Sequence, residues 1–144
     1  METLTVVLAP EPEAASLAGA LVADACLAWR LPGLLHPARR VLSELVRNAV
    51  EHAGTEVRVT LTRRGDGLCL AVGDGDRRLP RLRRPAPPKR GRPLDERGCG
   101  LRVVQAAATG WGAAPTTDGK VVWALLRPAG AQVLGDGQHV PVVG

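Results

Sequence analysis

The 144-residue chain contains no phenylalanine and no tyrosine. Trp29, Trp111 and Trp123 are its only bulky aromatic side chains, so leucine, valine and alanine must fill the core. Cysteine is also scarce. Cys26, Cys69 and Cys99 are odd in number and far apart, and no CxxC pair occurs. That excludes the usual zinc-binding spacings and a disulfide scaffold, and reduced thiols in a cytoplasm are expected. There is no basic start followed by an apolar run, so no secretory leader is expected. No apolar stretch is long and uninterrupted enough to span a bilayer. Neither GxGxxG after the first strand nor GxxxxGK[ST] is present, which removes the Rossmann and P-loop readings.

What remains is a chain long enough for one domain, which at this size hides roughly two-thirds of its unfolded surface. Its formal net charge is +5. Only two of the basic residues are lysines, Lys89 and Lys120; arginine supplies the rest. The charge is unevenly spread. Nine basic residues lie between Arg77 and Arg97, whereas the rest of the chain has ten basic and twelve acidic residues. The basicity therefore belongs to one segment. It could contact nucleic-acid phosphates. Yet it has no aromatic side chain to stack on bases, and no helix-turn-helix pattern surrounds it. Direct nucleic-acid binding is not expected.

Residues 3–9, TLTVVLA, read as a strand ended by Pro10 and Pro12. Residues 13–31 follow a helical pattern through Leu17, Leu21, Val22, Ala25, Leu27 and Ala28, with acidic residues at its start. Pro37 suits the first position of a second helix. From there Val41, Leu42, Leu45, Val46, Ala49, Val50 and Ala53 make a wide apolar face, and Gly54 fits a left-handed cap. Residues 55–64 alternate as a half-buried strand, GDG at 65–67 is a hairpin turn, and LCLAVGD is the returning strand. Five prolines among the arginines of 75–97 forbid helix or paired strand there. A loop this long is expected to be functional. Residues 98–110 read as a glycine turn opening a helix that Gly110 closes. Two strands follow around a turn at Asp118–Gly119, and 128–144 read as a tail. Hairpin-joined strands with helices on one face predict an α/β two-layer sandwich with a mostly antiparallel sheet. The domain is expected over residues 1–127.

Three local features carry chemistry. Glu44, Asn48 and His52 stand four residues apart and so line up on one side of the second helix. They form either the wet edge of an apolar stripe or the floor of a cleft. Carboxylate and amide oxygens suit Mg²⁺, which keeps phosphates and waters as its other ligands. A glutamate there could accept a proton from a hydroxyl. His52 could instead close the helix C-terminus. Asp74, at the end of an apolar strand and followed by Gly75, could accept a hydrogen bond from an exocyclic amine, or could be a plain Asp-Gly turn. Gly98 and Gly100 open a helix, where free N–H groups attract anions, or make only a tight turn.

In this order the residues resemble a known family. Glu44 to Ala53 resembles the N box of the ATP-binding domain shared by gyrase B, histidine kinases and MutL. Asp74 resembles the acid of its first glycine box, and Gly98–Cys99–Gly100–Leu101 resembles the second. The spacing and the closing GWG…DGKVVWALL are most similar to bacterial anti-sigma-factor serine kinases. The resemblance covers residues 3–127. It implies a Bergerat-type sandwich binding ATP with Mg²⁺. Asn48 would hold the metal, Glu44 would be the base, Asp74 would contact the adenine amine, and 75–97 would be the ATP lid. The implied nucleotide-binding set is Asn48, His52, Asp74, Gly75, Gly98, Cys99, Gly100 and Leu101. It also implies a sigma factor and a STAS-type anti-anti-sigma protein as partners, with homodimerisation common among relatives.

The sequence departs from the pattern in two places. Asp76–Arg77–Arg78 follow the first box, and Cys99 stands where a basic residue is usual. Two functions follow: a protein-serine kinase acting as an anti-sigma regulator, or a nucleotide-binding module that sequesters a partner without transferring phosphate.

Overall fold

The computed structural model describes residues 2–77 and 103–128. Most of the 75–97 segment, the Gly98–Leu101 box and nearly all of the 128–144 tail lie outside the described residues. The elements run β1 (Thr3–Leu8), α1 (Ala14–Ala28), a 3-10 turn (Pro32–Leu34), α2 (Leu35–Ala53), β2 (Val57–Arg64), β3 (Gly67–Asp74), β4 (Gly110–Pro115) and β5 (Lys120–Leu126). Residues 103–107 are helical. The five strands form one antiparallel sheet in the order β1-β2-β3-β5-β4. The helices pack on one side of it, which is the expected two-layer sandwich.

Period-two alternation builds the inner face of the sheet. Val57, Val59 and Leu61 of β2, Leu68, Leu70 and Val72 of β3, and Val122, Ala124 and Leu126 of β5 are all buried. The register aligns them across strands: Leu61 faces Leu70, which faces Ala124, and Val59 faces Val72, which faces Val122. Trp111 extends the layer onto β4 opposite Ala124. It is buried, whereas Trp29 and Trp123 are half-buried.

Helix α2 covers this layer with Ala38, Val41, Leu42, Leu45, Val46 and Ala49. It begins at Leu35, two residues before Pro37. Pro37 still lies in the first turn, where a missing N–H costs no hydrogen bond. Gly54 ends the helix with φ 64°, the left-handed conformation expected of it.

Helix α1 differs from its expected pattern. Its buried stripe is Ala14, Ala18, Gly19, Val22, Ala25 and Cys26, while Leu17 and Leu27 are exposed. The small stripe lets α1 approach α2 closely; a Cβ on Gly19 would lie 3.7 Å from Arg39 Nε and 3.8 Å from Ser43 Oγ. The acidic residues expected in its first turn fall just before it, with Glu13 at the N-cap. Gly110, expected to end a helix, begins β4 instead. Thr109 N–H already donates to Leu125 O (2.8 Å), so the chain has joined the sheet by that point.

Two measurements check this core. Leu42→Ala removes a fully buried side chain from the helix–sheet interface and should cost about 2–5 kcal/mol in denaturant unfolding. Burial pushes the Cys26 thiol above its ordinary value of 9.0. The folded protein keeps that proton where the unfolded chain has released it. The resulting stability is present below pH 9.0 and is lost as pH rises through the folded value. Unfolding followed from about pH 8 to about pH 10.5 should show this alkaline loss, and Cys26→Ala should flatten it.

Candidate functional site

Helix α2 packs directly on β3, and the C-terminal ends of the two elements meet. Gly75 N–H donates to Thr55 Oγ1 (2.8 Å) across this junction, and Thr55 Oγ1 donates on to Glu56 O (3.2 Å). Thr55 follows directly on the Gly54 cap of α2, and Gly75 follows the last residue of β3. One hydroxyl therefore joins the end of the helix to the end of the strand. A Cβ on Gly75 would lie 3.0 Å from Thr55 Cγ2, so a side chain here would push against Thr55.

Asp74 lies where the alternation of β3 sends it. Leu68, Leu70 and Val72 face the helices, and Asp74 continues that row. Its Cα partner on β5 is Lys120, which heads the inward row of Val122, Ala124 and Leu126. The two side chains form an ion pair, with Lys120 Nζ 3.0 Å from Asp74 Oδ1. Their side chains are 7% and 1% exposed, so the pair is shut away from water. Lys120 Nζ also donates to Asp76 O (3.1 Å), and Asp76 N–H donates to Asp74 Oδ1 (2.9 Å). The turn leaving β3 is thus closed by three hydrogen bonds. Gly119, in the β4–β5 turn, packs against the same backbone: a Cβ there would lie 2.7 Å from Gly75 Cα and would overlap the Asp74 carbonyl.

On α2, Glu44 is mostly buried. Its Oε1 pairs with Arg47 Nη2, one turn along the helix, while its Oε2 is buried and has no hydrogen-bond partner among the described residues. Asn48 is half-buried and His52 is exposed at the last turn. The row therefore runs from a buried carboxylate to a wet imidazole. A buried oxygen with no partner is costly unless a ligand or water satisfies it. Among the described residues no three His, Cys, Asp or Glu side chains gather closely enough to hold a metal alone. Glu44 and Asn48 nevertheless supply the hard oxygen donors that Mg²⁺ takes when phosphate and water complete its shell.

The predicted residues thus fall into three groups. Glu44 and Asn48 stand on α2, which packs on β3, and Asp74 and Gly75 mark the strand end joined to the end of that helix. His52 sits exposed in the last turn of α2. Gly98, Cys99, Gly100 and Leu101 lie outside the described residues. The sequence reading missed Thr55 and Lys120. Thr55 looks like any strand-opening residue. Lys120 carried a signal, because a lysine leading the apolar run VVWALL is placed by alternation on the core side.

An antiparallel five-stranded sheet covered on one side by helices, with α2 joined at its C-terminal end to the end of the central strand β3, is an α/β two-layer sandwich. Residues 34–130 match the family model of the histidine kinase-, DNA gyrase B-, and HSP90-like ATPases, and the chain belongs to that family. The comparison with curated proteins returns no match.

The buried pair generates a stability prediction. Lys120→Met leaves the Asp74 charge buried and unpaired, and should cost about 3–5 kcal/mol in urea unfolding. Adding Asp74→Asn should recover much of that loss, because breaking a buried pair is costlier than replacing both partners.

Proposed function

We propose that the protein binds ATP with Mg²⁺ and transfers the γ-phosphoryl group to a serine on an anti-anti-sigma partner, acting as an anti-sigma regulator. The observation that carries the nucleotide half of this reading is Glu44 Oε2, buried without a partner among the described residues one turn from Asn48, on a helix whose end is joined to the strand end at Asp74. Family membership supports the same half. The regulator half rests on the similarity of the boxes and of the closing strands to anti-sigma serine kinases.

The chemistry assigns each side chain a task. Asn48 would hold Mg²⁺, which when bound neutralises charge on the phosphates. Asp74 accepts a hydrogen bond from the exocyclic amine of adenine. The serine oxygen forms a bond to the γ-phosphorus while the bond from that phosphorus to the β–γ bridging oxygen breaks. The nucleotide leaves as ADP, and Glu44 receives the hydroxyl proton. Arg47 holds Oε1 of the same carboxylate, leaving Oε2 for the proton. Among the described residues no helix is long and apolar enough to cross a membrane.

A second reading is favoured by the same ion pair. With Oε1 tied to Arg47, Glu44 could serve as a metal and structural group, and the protein would then bind nucleotide and sequester its partner without phosphotransfer. The Cys99 departure points the same way.

Titrating ATP with Mg²⁺ should raise the melting temperature of the wild type in a saturable way, and Asn48→Ala should abolish most of that rise. A protein whose melting temperature ignores ATP would remove the nucleotide reading. Label from γ-labelled ATP should appear on a STAS-type partner, and Glu44→Gln should reduce transfer by about a hundredfold or more. Undiminished transfer by Glu44→Gln would reassign the base, and saturable ATP binding with no transfer would select the sequestering module.

A further inference from the structure

The proposed nucleotide site gives Asp74 a task but leaves Lys120 without one. A lysine at this position is unusual in itself, since buried ammonium groups are rare unless paired. Among the described residues Lys120 is the only charged or polar residue buried as a whole. Two of its three donors are engaged at the site: one goes to Asp74 Oδ1 (3.0 Å) and another to Asp76 O (3.1 Å).

Both contacts to the Asp74 carboxylate fall on the same oxygen. Lys120 Nζ and Asp76 N–H each donate to Oδ1. Two donors on one oxygen fix the rotation of the carboxylate plane, and Oδ2 takes part in neither bond. A base amine therefore meets an acceptor whose direction is set before it arrives. The ammonium also cancels the carboxylate charge next to a site meant for a polyanion. A lone buried carboxylate would repel the triphosphate and turn more freely.

We propose that Lys120 is a positioning and specificity-determining residue of the nucleobase pocket. Resting on the nucleotide reading above, it holds Asp74 with one oxygen occupied and the other presented to an exocyclic amine, so that the pocket selects an aminopurine over an oxopurine. ITP is the discriminating probe, because it carries a carbonyl oxygen where ATP carries the amine. Two acceptors would then face each other, and a site left with an unpaired buried polar group rejects such a ligand strongly.

The experiment compares ATP, ITP and inorganic tripolyphosphate binding by the wild type, Lys120→Met and Lys120→Arg, by calorimetry. The wild type should prefer ATP over ITP by roughly tenfold to a hundredfold, the range expected for a hydrogen bond to a charged group. Lys120→Met should lose at least about tenfold of that preference while keeping its tripolyphosphate affinity, and Lys120→Arg should restore part of it. A merely structural role would weaken all three ligands together.

Lys120→Met is expected to be less stable, so a second measurement uses the wild type alone. The chain has two lysines, so lysine-¹⁵N labelling gives two side-chain ammonium signals to assign. Saturation with ATP should move the Lys120 signal, and tripolyphosphate should leave it in place. An unchanged ATP-to-ITP preference in folded Lys120→Met, or a Lys120 ammonium that ignores ATP while ATP is bound, would overturn the proposal and leave the nucleotide reading standing. A wild type that binds neither triphosphate would overturn both.

Discussion

An ammonium and a carboxylate buried opposite each other at the ends of β5 and β3 hold one edge of the sandwich together. The antiparallel register makes Asp74 and Lys120 cross-strand partners. The alternation of each strand turns both toward the helices, so the apolar rows of β3 and β5 finish in charge instead of in another valine. That ending fixes where the chain leaves the core. The turn at 74–76 is held by Lys120 on one side and by Thr55 on the other. Such a pair is weak as a source of net stability, since desolvation offsets much of its Coulomb energy. Its contribution is geometric: it makes one conformation of the strand exit much cheaper than the alternatives.

Helix α2 meets a related constraint. It must bury Leu42, Leu45, Val46 and Ala49 against the sheet while carrying Glu44 and Asn48 beside them. The conflict is resolved by grading exposure along the helix. Glu44 is enclosed and partly neutralised by Arg47, Asn48 is half-buried, and His52 is in solvent. A polar line that crosses from core to water in two turns can reach a ligand without opening the core. The left-handed Gly54 then turns the chain so that Thr55 touches Gly75.

Much of this architecture is legible in the sequence because it arises from local periodicity. The apolar face of α2, the cap at Gly54, the hairpin between β2 and β3 and the alternation of both strands depend on neighbours within a few residues. The polar line at Glu44, Asn48 and His52 is visible for the same reason. Features set by tertiary packing are less legible. Leu17 and Leu27 look like core residues of α1, yet the helix turns its alanines inward because a small stripe allows closer contact with α2. The start of β4 depends on a hydrogen bond from Thr109 to a distant strand. Lys120 is the instructive miss. Its parity within β5 was readable, but its partner became known only once β5 was seen to lie against β3 and not beside an edge.

Gly119 carries a consequence beyond the site itself. Its α-carbon rests so near the Asp74–Gly75 backbone that any amino acid with a β-carbon would wedge the two turns apart. Every amino-acid replacement at that position introduces such an atom. Replacement is therefore costly there, while Asp118 beside it is exposed. Lineages that retain the glycine retain the spacing on which the neighbouring charges depend, and those that lose it must rebuild this corner of the sandwich from a different set of side chains.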